Sequence, residues 1–330
     1  MSCELFGLPH QPHDAAVAIL PVPFDATTSY RPGTEKAPDA IKRASVQVDL
    51  WDSESGDGWK AGIALWKVDE HLSTLNRRCR ADVELTRDPA QVGFDNAVCE
   101  GAIGRVNRAG QELNSLVSAF TAARMDVGQI PAVLGGDHSV PLGAIQEASR
   151  RVPGLGVLQI DAHADLRQAY EGFVWSHASL MHNVLSLCQV DQIVQVGVRD
   201  QSPEERERAL LDKRVVQWLD QAMASDLAHG RSWHTIVEAI VAPLPRDVWI
   251  SFDIDGLDPS LCPNTGTPVP GGLSWREALV LLEVLGKSGR RIVGFDICEV
   301  GGAEWDAIVG SRLLFKLAGW SIFTKTRVLD

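Results

Sequence analysis

Six cysteines are scattered through the 330 residues, at Cys3, Cys79, Cys99, Cys188, Cys262 and Cys298, and no two of them form a CxxC pair. That spacing excludes a zinc ribbon and gives no disulfide framework, so reduced and mostly structural thiols are expected. No run of 18 apolar residues occurs, so neither a helical membrane anchor nor a membrane partner is expected. The opening MSCELFGLPHQPHD lacks the basic-then-apolar order of a signal peptide, and a cytoplasmic location is the expectation. Basic charge is scarce as well. Lys and Arg number 31 against 43 Asp and Glu, a net charge of −12, which removes the electrostatic footing for nonspecific phosphate binding and with it nucleic acid as a partner. Low-complexity tracts and internal repeats are missing, and the 45% hydrophobic content excludes disorder as a description of the whole chain.

What is present is a series of short apolar runs separated by helix-like stretches. The runs are Ala16–Val22, Ala132–Leu134, Gly156–Ile160, Ile193–Val198, Val248–Phe252 and Ile292–Ile297. Each is nearly continuous in apolar residues, as strands covered on both faces of a parallel sheet tend to be. Helices are expected over Asn96–Arg124, Val140–Arg151, Ala178–Leu187, Pro203–Leu211, Trp275–Lys287 and Trp305–Ala318. The polar stretch Asp69–Asp95 reads as a surface excursion, and residues 1–330 read as one α/β domain.

The residues that follow the strands carry the chemistry. Gly135-Gly136-Asp137-His138 follows one run; Asp161, His163 and Asp165 follow another; Asp253 and Asp255 follow a third; Glu299 follows the last. In open parallel sheets the ligand site lies beyond the carboxyl ends of the strands, so these four clusters are expected to converge. Asp161, His163 and Asp165 stand at alternate positions, which an extended chain turns toward one side, and the same holds for Asp253 and Asp255. With His138 they make four carboxylates and two imidazoles. That set exceeds the needs of one ion and suits two ions sharing bridging carboxylates, with four negative charges balancing two divalent ions. Oxygen and nitrogen donors without thiolate favour Mn²⁺ and leave Fe, Co, Ni or Zn open. Each motif alone also has a structural use: Asp137 as a helix cap, Asp253 and Asp255 as turn caps.

Taken together, PVPFD (21–25), RPGT (31–34), GGDHS (135–139), DAHADLR (161–167), SFDIDGLDPS (251–260), TGTPVPGGL (265–273) and Glu299 resemble the ureohydrolase family of arginases and agmatinases. The resemblance spans most of the chain. It implies a three-layer α/β/α domain around a mostly parallel sheet, homotrimers or homohexamers, and two Mn²⁺ ions. One ion would be held by His138, Asp161, Asp165 and Asp253, and the other by Asp161, His163, Asp253 and Asp255.

Guanidinium hydrolysis is hard because resonance and positive charge protect the central carbon, while water is a poor nucleophile. Two ions answer the second difficulty by lowering the pKa of bound water from ~15.7 toward ~7, and a hydroxide shared between them is the expected nucleophile. Asp165 is suited to accept a hydrogen bond from it. Glu299 can pair with guanidinium N–H groups, although a plain salt bridge is its bland alternative. The resemblance makes His177 similar to a proton shuttle or general acid for the departing amine, where a lone His before a helix would otherwise read as a cap. It also places Thr267 on the substrate side.

Arginine-specific relatives carry an Asn- and Ser-rich loop that holds the α-carboxylate and α-amine. Here that loop reads LRQAYEGFVWSH (166–177) and has no such set, so free arginine is disfavoured. The pattern looks like one branch of agmatinases. Glu171 is then a candidate for the substrate ammonium, with Tyr170, Phe173 or Trp175 along the methylene chain. Arg167 points the other way, toward a carboxylate, which keeps guanidinobutyrate and guanidinopropionate open. The leading expectation is conversion of agmatine to putrescine and urea. Its rivals are hydrolysis of another guanidino compound (free guanidine included), a catalytically silent metal-binding relative, and a single-zinc deacetylase. Gly301–Trp305 departs from the Asn-Pro that relatives often carry after the glutamate.

Overall fold

The computed structural model of the chain describes residues 4–87 and 96–327. Its centre is a sheet built from the short apolar runs: β1 (Val17–Pro21), β2 (Ile63–Leu65), β3 (Ile130–Leu134), β4 (Leu155–Ile160), β5 (Val190–Val198), β6 (Val215–Leu219), β7 (Asp247–Asp253) and β8 (Arg291–Cys298). The strands lie in the order β2-β1-β3-β8-β7-β4-β5-β6, and every pairing is parallel. β3 and β4 are buried at every residue. Their unbroken hydrophobicity follows from that, because alternate side chains enter two different cores. Ala132 and Leu134 face one core while Val133 faces the other; Leu158 and Ile160 oppose Val157 in the same way.

Helices cover both faces. On one side lie α1 (Ala37–Ala44), α8 (Trp233–Val241), α9 (Trp275–Lys287) and α10 (Glu304–Arg327), contributing Ile41, Ile236, Leu281 and Leu313. On the other lie α2 (Glu70–Arg87), α3 (Asn96–Asp126), α4 (Leu142–Arg151) and α5 (Leu180–Leu187), contributing Val83, Leu113, Ile145 and Val184. Burying each such side chain stabilises the fold by roughly 1.5–3 kcal/mol. The expected three-layer α/β/α architecture is the one observed. α6 (Pro203–Leu211) and α7 (Asp220–Ala228) flank β6. α6 and α9 begin where the sequence placed them because Ser202 with Glu205, and Ser274 with Glu277, close reciprocal capping boxes.

The expected strands and helices all form, most with ends shifted by one or two residues; the last helix runs on to Arg327. The sequence reading missed β2, β6, α1, α2, α7 and α8. β2 and β6 sit at the two edges of the sheet, where the short or half-exposed runs Ile63–Leu65 and Val215–Leu219 carry little apolar signal. The larger correction concerns Asp69–Asp95: its first part is α2, and residues 88–95 lie outside the described residues. α2 carries four arginines, yet Leu72, Leu75, Cys79 and Val83 fall on one buried stripe. Cys79, Cys188, Cys262 and Cys298 are buried free thiols and Cys99 is partly buried, as the spacing suggested; Cys3 lies outside the described residues. Burial pushes the Cys79 and Cys188 thiols up to about 12, so they stay protonated.

The topology brings the four clusters together. β3, β8, β7 and β4 are consecutive in the sheet, and GGDH, Glu299, Asp253 with Asp255, and Asp161 with His163 and Asp165 follow their carboxyl ends. Between β7 and β8, Trp249 lies beside Gly294 and is fully buried. A Cβ at Gly294 would stand 2.2 Å from the Trp249 ring and 2.9 Å from the Pro131 carbonyl. Gly294→Ala is therefore expected to destabilise the protein by about 1–3 kcal/mol through overpacking, read as a lower urea midpoint. An unchanged midpoint would mean that the ring has room to move.

Candidate metal centre

Gly136 lets the β3–α4 turn pass against the backbone of Phe24, where a Cβ would meet its carbonyl oxygen at 2.1 Å. Asp137 fastens this turn. It accepts from Ser139 N and Oγ (3.0 and 2.5 Å) and from Thr27 N and Oγ1 (2.9 and 2.7 Å). His138 is thereby aimed inward. Its Nδ1 lies 3.0 Å from Asp161 Oδ2, 3.0 Å from Asp165 Oδ2 and 3.4 Å from Asp253 Oδ2. Opposite, His163 Nδ1 lies 3.1 Å from Asp255 Oδ2 and 3.5 Å from Asp161 Oδ1. Asp161 thus turns one oxygen to each imidazole.

Two overlapping clusters result, His138–Asp161–Asp253 and Asp161–His163–Asp255, each with its donor atoms within 4.8 Å of one another. A third grouping, His138–Asp296–Cys298, meets the same criterion, but its carboxylate is taken up by protein donors. Trp249 Nε1 and Ser251 Oγ donate to Asp296 at 2.7 and 3.1 Å, and Ser251 Oγ stands 3.0 Å from His138 Nε2. Histidines that hold metals usually rest their second nitrogen on such a group.

The residues fit a pair of divalent ions. His138 Nδ1 and Asp165 Oδ2 are buried and, although 3.0 Å apart, make no well-formed hydrogen bond; a buried polar group left without one costs about 1–3 kcal/mol. A cation between them removes that cost, and the donors are hard oxygens and imidazoles. The electrostatics agree. Burial, reinforced by Asp161, pushes Asp165 up to about 7. Burial, then Asp255 and Asp161, raises Asp253 well above the carboxylate range. Burial alone would depress both histidines, but Asp161 and Asp165 raise His138, and Asp255 and Asp161 raise His163. Against its own burial, Asp161 is held low by those two imidazoles. Acids forced toward neutrality beside imidazoles drawn toward charge mark a place that calls for positive charge.

Glu299 has left-handed backbone, φ 61°, as has Asp165 at 53°, a conformation that non-glycine residues keep only where the surroundings fix it. Glu299 Oε1 accepts from His138 N at 3.0 Å, while its buried Oε2 has no hydrogen-bond partner. Burial, then Asp137 and Asp255, raises its pKa well above the usual range.

His177 stands at the mouth of this centre. Its backbone N donates to Thr27 Oγ1 at 3.0 Å, and its Nδ1 lies 3.4 Å from the same oxygen and 3.3 Å from Ser176 Oγ. The Thr27 proton is committed to Asp137, so Thr27 offers only lone pairs and favours the proton on Nδ1. Nε2 then faces Ser29 Oγ, 3.5 Å away. Burial pushes His177 down to about 3, helped by the charges of His163, Arg87 and His138.

A cavity of about 480 Å³ opens over the centre, with His163, Asp165 and His177 at its floor and Thr267, Tyr170 and Asp200 in its wall. Thr267 Oγ1 is 3.4 Å from Asp255 Oδ2. Arg167 also lines it, but is paired with Glu205 at 3.3 Å and stacked on Tyr170. Arg31 at the rim donates to the Pro263 carbonyl and stacks on Tyr30. Of the loop residues expected to meet the substrate tail, Tyr170 and Arg167 reach the cavity. Glu171 instead pairs with Arg87 at 2.9 Å, Phe173 is buried in the core, and Trp175 packs beside Gly110. A larger cavity of about 690 Å³ lies around Glu35, Arg43 and Arg77, apart from the acidic clusters.

Sequence reasoning missed Thr27, Ser29, Asp200, Ser251, Asp296 and Gln159. For three of these a signal existed: Gln159, Ser251 and Asp296 are polar residues inside apolar strand runs, and such residues are retained only with partners. Asp296 is fully buried and pushed up to about 6 by burial, against the opposing pull of His138, Trp249 and Ser251. No helix among the described residues is long and apolar enough to cross a membrane.

Known proteins share this arrangement of chain. The profile of the Arginase family matches residues 15–304. The N(1)-aminopropylagmatine ureohydrolase of Thermococcus kodakarensis is 31% identical, over 94% of this chain and 92% of its own. The agmatinase of Pyrococcus horikoshii is 29% identical, over 93% of each. Among solved structures, the agmatine ureohydrolase of Thermoplasma volcanium superposes with a TM-score of 0.73 at 24% identity, covering 99% of this chain and 97% of its own.

The depressed His177 gives a signed prediction. Between pH 6.5 and about 3 the unfolded chain carries a proton on this imidazole that the folded chain does not. Stability therefore rises with pH through that window and is lost on acidification. His177→Asn, measured in EDTA so that metal release does not enter, is expected to lose stability less steeply than the parent from pH 6.5 downward. Parallel denaturation curves across that range would show that the ring is not held neutral.

Proposed function

The chain belongs to the arginase family of hydrolytic amidinohydrolases, and we propose that it releases urea from a guanidinoalkyl amine, with agmatine giving putrescine as the first case. The family depends on paired metal ions and acts on small guanidino compounds. In the proposed centre one ion rests on His138, Asp161, Asp165 and Asp253, and the other on Asp161, His163, Asp253 and Asp255. Manganese suits the oxygen and imidazole donors best. Bound there, the ions would make water a competent nucleophile near neutral pH.

The observation that carries this reading is Asp161 with its two oxygens turned to His138 and His163 in overlapping clusters. Such a shared carboxylate exceeds what the single-ion site of a deacetylase would need. Glu299 Oε2, buried and without a hydrogen-bond partner, supports pairing with guanidinium N–H groups, which would hold the carbon for attack. Asp165 would accept a hydrogen bond from the attacking oxygen and keep its lone pair on the carbon. His177, neutral with Nε2 facing only the distant Ser29 Oγ at 3.5 Å, would take at that nitrogen a proton given up by the attacking water and pass it to the amine as its bond to carbon breaks.

The tail assignment shifts. Glu171 is occupied by Arg87, whereas the Asp200 carboxylate lines the cavity, lies beside His163 through a backbone bridge, and has no ion pair or side-chain hydrogen bond among the described residues. We therefore assign the substrate ammonium to Asp200, with Tyr170 along the methylenes. Arg167 and Arg31 are engaged by Glu205, Pro263 and the two tyrosines, which lowers their pull on a carboxylate tail. A longer diamine tail, as in the name of the Thermococcus relative, fits the same reading. We also take residues 1–330 as one domain that assembles as a homotrimer or homohexamer.

Three measurements test this. A panel of agmatine, N(1)-aminopropylagmatine, arginine, guanidinobutyrate, guanidinopropionate and guanidine with Mn²⁺ should release urea fastest from the first two; a preference for a guanidino acid would overturn the amine-tail reading. Asp200→Asn should raise KM for agmatine about tenfold with a smaller effect on kcat, while Glu171→Gln changes KM less; the reverse order would restore Glu171. His163→Ala should stay folded, bind about one Mn²⁺ fewer per chain and lose most of its kcat, and full metal content would remove His163 from the ligands.

A further inference from the structure

Three glutamines run side by side through the sheet, at positions where the surrounding strands are apolar. Gln159 on β4 pairs in register with Gln195 on β5, and Gln195 with Gln217 on β6. Gln159 and Gln195 are fully buried. Arg206 Nη1 donates to Gln217 Oε1 at 2.7 Å, Gln217 Nε2 to Gln195 Oε1 at 2.8 Å, Gln195 Nε2 to Gln159 Oε1 at 2.5 Å, and Gln159 Nε2 to Asp161 Oδ2 at 2.7 Å. The chain of bonds runs unbroken from a half-buried guanidinium on α6 to the carboxylate at the middle of the proposed centre.

Its direction is fixed by its ends. A guanidinium can only donate and an ionised carboxylate can only accept, so each amide between them has one orientation that satisfies both neighbours. Turning any one of them would set oxygen against oxygen. The remaining amide hydrogens are also used near the site: Gln195 Nε2 donates to the Ala164 carbonyl at 2.7 Å and Gln217 Nε2 to Gln201 Oε1 at 2.9 Å. One amide therefore grips both the chain of bonds and the loop that carries His163 and Asp165. Amides aligned head to tail polarise one another, strengthening the last bond of the series. Apolar side chains would fill the same space at no polar cost, so a row of buried amides here calls for a use.

We infer that Gln159, Gln195 and Gln217, anchored by Arg206, form a directional relay that positions Asp161 as a metal ligand. These are positioning residues, since they reach the ions only through Asp161. The inference rests on the reading of Asp161 as a ligand.

The test is titration of the metal-stripped full chain with Mn²⁺ by calorimetry. Gln195→Met keeps the volume and cuts the relay in the middle. It should weaken Mn²⁺ binding by about 10–100-fold, the usual effect of losing an outer partner of a metal ligand. Gln217→Met and Arg206→Met, progressively farther out, should weaken it less, in that order, and KM for agmatine at saturating Mn²⁺ should stay within about twofold. A packing role alone would give no such order with distance along the relay. Wild-type Mn²⁺ affinity in Gln195→Met overturns the relay; should that variant fail to fold, wild-type affinity in Gln217→Met, on the half-buried edge strand, overturns it equally. Asp161→Asn separates the two readings. If it abolishes binding while the glutamine variants bind normally, the relay alone is wrong, and if it binds both ions, the ligand assignment fails and the relay with it.

Discussion

The structure turns on the crowding of buried acids around Asp161. Four aspartates are almost completely enclosed around two imidazoles, with Glu299 buried against the backbone of His138, and like charges in such surroundings raise each other's pKa until some are neutralised or a cation intervenes. A flexible loop would spread them apart. They stay together because each sits at or past the carboxyl end of one of three adjacent strands, β8, β7 and β4, with His138 supplied by neighbouring β3, and the backbone hydrogen bonds and two flanking cores of these strands restrict the separation of the ends. The scaffold holds the electrostatic conflict in place, and the outer partners of these side chains help decide which atoms face inward. Ser251 and Asp296 stand behind His138, and Gln159 stands behind Asp161.

Much of this was readable in the sequence because two signals coincided. Continuous apolar runs marked strands covered on both faces, and the ionisable residues directly after them marked the rim where parallel sheets bind ligands. Four of the six runs, Ala132–Leu134, Gly156–Ile160, Val248–Phe252 and Ile292–Ile297, belong to the four central strands. The edge strands were lost for the complementary reason: β6 is only half covered, so its residues need not be uniformly apolar. α2 was lost to charge. Its arginines dominate the composition, while the burial that makes it a helix of this fold rests on a narrow stripe of four side chains.

That missed helix matters to the site. Arg80 and Arg87 of α2 donate to the Thr28 carbonyl at 3.2 and 2.7 Å, Arg80 also reaches the Ala26 carbonyl, and Arg87 holds Glu171. The segment bearing Thr27, Ser29 and Tyr30 is therefore tied to the segment bearing Tyr170 and His177 through one guanidinium. Periodicity and spacing cannot announce such a contact, because Arg87 and Glu171 are far apart in sequence and Arg87 stands in no motif. The loop pattern suggested a substrate-facing Glu171; in the structure its carboxylate pairs with Arg87.

The division of labour between strand ends and loops follows from stiffness. Bond cleavage in a guanidinium needs the attacking oxygen and the carbon held within tenths of an ångström, which groups anchored on packed strands can provide. Tail recognition tolerates looser geometry, and in the proposed reading it would fall to residues on connecting segments that line the cavity, Tyr170 and Asp200 among them. Changes on those segments can retune the substrate without disturbing the acids beneath. Gly301–Trp305, expected from the sequence to depart from the family pattern, fits the same separation: Trp305 is tied by its indole N–H to the Ser260 carbonyl, and Gly301 sits against Asn264. Both contacts brace the loop that leads to Thr267 and leave Glu299, two residues before Gly301, in the grip of His138 N. A departure confined to the brace alters the shape of the entrance while the atoms that would touch the guanidinium keep their places.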